Sequence, residues 1–177
     1  MAGDKKPFPL LQSQFTEAYP QVSPDGKWMA YMSTETGRSE IYVKPFPEGP
    51  GKWQVSTDGG WLPRWRRDGK ELFFYFNNSM LAADIRVMGA SLEAGVPRTL
   101  FGLGDPSGAN QNIHTHHPFA VGADGQRFLV SQTGTGGRGR GGLADQIVAA
   151  VDRGGAVAAA ANQVTVVLDW TQMLKKK

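Results

Sequence analysis

Apolar residues along this chain fall in short runs separated by polar turns, and the densest runs lie at 28–32 (WMAYM), 72–76 (LFFYF) and 128–130 (FLV). Each run is nearly continuously apolar instead of alternating, which calls for a strand buried on both faces. Each also follows an Asp-Gly pair: Asp25-Gly26, Asp68-Gly69 and Asp124-Gly125. Asp-Gly between two runs of β-formers predicts a hairpin, because a tight primed turn needs positive φ that Gly and Asp tolerate. Further β-rich stretches follow at 40–43 and 53–56 after the first hairpin, and at 80–85 and 98–101 after the second. The unit is therefore four strands.

These units repeat. Pro20, Asp25, Gly26 and Lys27 recur as Pro63, Asp68, Gly69 and Lys70, a constant offset of 43 residues. In the third copy Asp124 lies 56 residues beyond Asp68, and the Gly-, Asn-, Ser- and Pro-rich stretch 102–117 absorbs the excess as an inserted loop. A period of about 40–45 residues with four strands per unit is that of propeller blades. The expected fold is all-β: one partial β-propeller domain of about three four-stranded antiparallel blades, with room for a single short helix within 143–161. Its expected parts are a strand of a preceding blade at 7–13, blades at 18–57 and 61–101, the loop 102–117, an incomplete last blade at 118–170 and a basic tail at 171–177. The run 164–170 is expected as the last blade's third strand. A β-sandwich ranks second, since its strands alternate more cleanly. Complete propellers have about 4–8 blades, so about three do not close a ring. The expectation is a fragment of a longer protein, or two arcs that self-associate through open blade edges into about six blades.

Charge and composition narrow the function classes. The formal net charge is only +3, and the basic runs Lys5-Lys6, Arg64 to Arg67, Arg138 to Arg140 and Lys175 to Lys177 are separated by neutral sequence, so nucleic acid is not the expected partner. The absence of cysteine excludes disulfides, thiolate nucleophiles and cysteine-ligated zinc while leaving the compartment open. The first residues lack the apolar core of a signal peptide, and no apolar run approaches the ~20 residues that span a bilayer. No Gly-x-Ser-x-Gly elbow, His-Glu-x-x-His or phosphate loop is present. The chain is expected to be non-catalytic and to need no cofactor.

The stretches 21–75 (QVSPDGKW…RWRRDGKELFFY), 92–101 (LEAGVPRTLF), 121–130 (VGADGQRFLV) and 164–177 (VTVVLDWTQMLKKK) resemble the TolB-like, WD-repeat-like propellers of bacteria. Within these they resemble the carboxy-terminal part of the propeller attached to bacterial serine/threonine protein kinases. The resemblance implies an extracytoplasmic, periplasmic propeller with a sensing or scaffolding role, whose partner is another protein or the remaining blades. It transfers no kinase activity, since the kinase glycine loop, His-Arg-Asp and Asp-Phe-Gly motifs are absent. A second implied reading is the accessory propeller of a prolyl-oligopeptidase-type hydrolase whose catalytic domain is missing here.

Three local features are weighed as sites. Trp61, Arg64, Trp65, Arg66 and Arg67 form an aromatic and cationic cluster suited to a glycan, a peptide carboxylate or a phosphate; the competing role is tryptophans packed between blades with paired arginines. His114 and His116, two residues apart, would share one side of a strand and a metal, but no acidic ligand accompanies them and solvated loop histidines is the favoured reading. The tract Gly136 to Gly142 resembles a single Arg-Gly-Gly unit and reads as a flexible surface loop. Asp25, Gly26, Asp68, Gly69, Asp124 and Gly125 are assigned to turn formation.

Overall fold

The β-forming runs fold as strands in a computed structural model that describes residues 9–102, 119–133 and 146–152. In chain order these are β1 (Glu17–Val22), β2 (Trp28–Ser33), β3 (Glu40–Pro45), β4 (Trp53–Gln54), β5 (Trp61–Trp65), β6 (Glu71–Phe76), β7 (Ser79–Met88), β8 (Ser91–Ala94), β9 (Arg98–Gly102), β10 (Phe119–Val121), β11 (Arg127–Thr133) and β12 (Gln146–Asp152). No helix occurs among the described residues, and so none there is long and apolar enough to cross a membrane.

The three Asp-Gly turns are built alike, though not as primed two-residue turns. The carbonyls of Ser23, Arg66 and Gly122 each accept the N–H of the turn glycine at 2.9 Å, and the hairpin closes one residue wider, Ser23 to Trp28, Arg66 to Glu71 and Gly122 to Arg127. Gly26, Gly69 and Gly125 take φ of 72, 72 and 66°, whereas the aspartates are not in the positive-φ region. The reason lies in the Asp side chain, which accepts the N–H two residues on: Lys27 at 3.1 Å, Lys70 at 3.1 Å and Gln126 at 3.0 Å. That local bond serves the role of an Asx turn and leaves only the glycine left-handed. A two-residue primed turn does form, at Asn77 and Asn78 (φ 45 and 60°), where Phe76 pairs with Ser79.

A second repeated device sits in the first strand of each of the first two sheets. Tyr19 and Leu62 both take positive φ (57 and 56°) directly before Pro20 and Pro63. The register shifts there, between Ala18 and Gln21 opposite β2 and between Trp61 and Arg64 opposite β6. Proline has no N–H to give a ladder, so it is tolerated at a bulge. The repeated Pro thus marks a bend in the strand.

The strands form antiparallel sheets: β1-β2-β3-β4, then β5-β6-β7 with both β8 and β9 on β7, then β10-β11-β12. Side chains from adjacent sheets interlock face to face. Trp28, Ala30 and Met32 of β2 meet Leu72 and Phe74 of β6 in one core, while Phe73 and Tyr75, on the other side of β6, meet Phe119, Phe128 and Val130 in the next. The middle strand is therefore buried on both faces, as its unbroken apolar run requires. Together these stacked sheets are successive blades of a partial propeller. On the far side of the first sheet, Met29, Tyr31 and Tyr42 are covered by Leu11 and Phe46.

Several expectations are corrected. The helix allowed within 143–161 gives way, over Gln146–Asp152, to a strand paired along its whole length with β11, where Ile147, Val148 and Val151 suit the sheet ladder. That strand is also the third strand of the last sheet, so the place expected for 164–170 is filled by β12. Residues 9–13 form no strand; they lie along the first sheet with the Leu10 carbonyl accepting from Lys44 Nζ at 3.4 Å. The second sheet gains β8, a strand the repeat does not contain. The tail 171–177, the run 164–170, most of the loop 102–117, His114, His116 and the Gly136 to Gly142 tract lie outside the described residues.

Candidate functional site

The three Asp-Gly turns lie side by side along one end of the stack. A Cβ placed on Gly69 would lie 4.0 Å from Pro24 of the first turn, and one placed on Gly125 would lie 2.5 Å from Arg66 Cδ of the second. This rim is anchored electrostatically. Arg66 donates to both Asp68 oxygens at 2.7 Å and to Glu71 at 3.0 Å, and Glu71, fully buried, also accepts from Arg98 of β9. Ser23 Oγ donates to Asp25 at 2.5 Å and accepts the Trp28 N–H at 2.9 Å. Arg127 donates to Asp124 at 2.6 Å.

These contacts hold all three turn aspartates ionised. The Arg66 hydrogen bond is the main cause that brings the Asp68 pKa down to about 2. The Ser23 hydroxyl lowers Asp25, and the Gln126 N–H together with the Arg127 guanidinium lowers Asp124. Arg66 is correspondingly raised by Asp68, while burial pulls Arg64 down.

Between the first and second turns opens a cleft of about 660 Å³. Ser23, Pro24, Asp25 and Trp28 form one wall; Trp65, Arg67, Asp68, Gly69 and Lys70 form the other; Ile85, Arg86 and Val87 of β7 close the end. The apolar part of this lining includes the buried Trp28 and Ile85. The Trp28 indole N–H is buried without a hydrogen-bond partner among the described residues. The β7–β8 hairpin, which leaves Val87 and Met88 about half exposed, extends the wall.

The predicted cluster is divided by the fold. Trp65 packs toward the first sheet, while Trp61, on the other side of the bulge, packs against both cores. Trp61 stacks edge-on against Tyr19 at 6.5 Å, and Trp65 Nε1 donates to the Gln21 carbonyl at 3.0 Å. Arg64 is half-buried and donates to the Pro63 carbonyl at 3.1 Å; Arg66 is locked into the turn. Only Trp65 and Arg67 of the five line the cleft. Sequence reading missed Trp28, Lys70, Ile85, Arg86 and Val87. The signal for Trp28 and Lys70 was present, since both flank the Asp-Gly turns, whereas nothing in the repeat announces the β7 extension. Among the described residues no three His, Asp or Glu side chains converge as a metal site.

No family model and no curated protein matches this chain. Solved structures similar to it include a protein assigned as TolB from Agrobacterium tumefaciens, 20% identical over 51% of this chain and 36% of that one, with a TM-score of 0.38. TolB from Acinetobacter baumannii is 18% identical over 84% of this chain and 44% of that one, with a TM-score of 0.41. The chain thus spans less than half the length of either.

Proposed function

We propose that this chain is a non-catalytic protein-interaction module. The observation that carries the reading is the turn rim: three like turns, the first held by Ser23 and the other two by ion pairs, present a fixed surface with one wide cleft between the first two. Rigid, preorganised surfaces lose little entropy on association, which suits recognition. In keeping with the resemblance of its repeats, the module belongs to an extracytoplasmic sensor or scaffold of the TolB-like or kinase-attached type. Selection of a random peptide-display library on the immobilised chain tests this, with bound peptides located by amide hydrogen exchange. Enriched peptides that protect amides around 23–28 and 66–71 support the module and its site. Failure to enrich any sequence overturns it.

A second surface carries the partner reading further. Leu129 of β11 occupies the position that Phe73 has in β6, yet it is 51% exposed where Phe73 is fully buried. That face is the one on which a further blade packs, supplied by more propeller or by a second copy of this chain.

A further inference from the structure

We infer that the cleft between the first two blades, taken as the recognition site of the proposed module, binds an acidic peptide segment that carries an apolar side chain. Charge accounting within the cleft points to this ligand class. Its two carboxylates are already committed: Asp25 to Ser23 and the Lys27 N–H, Asp68 to Arg66 and the Lys70 N–H. Its cations are not. Elsewhere Arg38 pairs with Glu40, Arg66 with Asp68 and Glu71, Arg98 with Glu71 and Asp84, and Arg127 with Asp124. Arg67 and Arg86 make no ion pair among the described residues and both line this cleft, Arg86 standing opposite Glu93 in the β7–β8 ladder. Lys70 also lines the cleft; its charge acts on Asp68 but its ammonium makes no ion pair among the described residues.

The apolar part of the ligand follows from the apolar lining. Val87, half exposed, and the partly buried Trp65 offer apolar surface that a phosphate or a free carboxylate leaves uncovered, and such surface favours a side chain as occupant. Nucleic acid is the competing anionic class, and the oligonucleotide arm of the test distinguishes it. A peptide with spaced carboxylates and one aromatic residue places its charges against Arg67, Lys70 and Arg86 and its ring on the apolar lining.

Fluorescence anisotropy of a fluorescein-labelled Asp-Glu-Phe-Asp-Glu peptide, titrated with the whole chain at low salt, provides the test. Saturable binding is expected, weakened at least roughly tenfold in the Arg67→Glu/Arg86→Glu variant. Binding is also expected to be lost with the Asn-Gln-Phe-Asn-Gln analogue and unchanged in Lys52→Glu, whose charge pairs with Glu35 at the other end of the first sheet. Circular dichroism of each variant confirms that the fold is kept, and both substituted arginines are exposed. Equal affinity of wild type and double variant, equal affinity for the two peptides, or displacement by a thymidine oligonucleotide but not by unlabelled peptide would each overturn the inference. If display selection yields only neutral or basic binders, this inference fails while the module reading stands; if it yields none, both fail.

Discussion

At the scale of single residues, the turn aspartates make stability depend on acidity. A carboxyl whose folded pKa lies below its unfolded value contributes stability that is fully present above the unfolded pKa and lost as pH falls through the folded one. For Asp68 the window runs from about 4, the ordinary carboxyl value, down to about 2; Asp25 and Asp124 shift in the same direction. The melting temperature should therefore fall on acidification across that window, and Asp68→Asn should flatten the decline while lowering stability at neutral pH. Because Asp68 is nearly half exposed, solvent screening keeps the neutral-pH loss small, on the order of 1 kcal/mol. The glycines after these aspartates differ from one another. Gly26→Ala meets open space and carries only the left-handed backbone cost of about 1 kcal/mol. Gly125→Ala adds a clash with an Arg66 stem that Asp68 and Glu71 hold in place, so thermal denaturation should show a larger loss at Gly125 than at Gly26.

At the scale of elements, β6 bears the most. Its residues Leu72, Phe73 and Phe74 are fully buried, alternating between the two neighbouring sheets, and Phe73 meets Phe128 edge-on at 5.1 Å. Phe73→Ala should cost about 3–5 kcal/mol by leaving a cavity between the second and third sheets. Met88→Ser, at the exposed end of β7, should stay within about 0.5 kcal/mol. Chemical denaturation of the two variants measures the contrast, and equal losses would show that the sheets do not pack as blades. The β7–β8 hairpin does different work from the rest of its sheet: Leu92 seals the edge of the first core while its partner strand walls the cleft.

At the scale of the whole molecule, the stack of described residues has a covered first face and an open last one. Leu11 and Phe46 lie over Met29, Tyr31 and Tyr42, whereas Leu129 stands half exposed. Light scattering should show a dimer or larger species for the wild-type chain, and Leu129→Asp should shift the mass to that of a monomer without changing the circular dichroism. A wild-type mass of one chain would overturn self-association through this face. The sequence by itself determined the repeat, the strands at its centre and the turns, because each rests on local chemistry: an Asp side chain that bonds its own backbone, a Gly free to turn left-handed, and a run apolar enough for burial on both faces. It could not yield β8, whose pairing depends on β7 continuing past its sheet, nor the place of Gln146–Asp152 as third strand, which rests on its long-range pairing with β11. The division of the arginines was equally beyond it. Arg66 and Arg67 are neighbours in sequence, but the turn after β5 commits one to Asp68 and Glu71 and sends the other to the cleft. Only packing of one blade against the next decides which charges are spent on the fold and which remain for a partner.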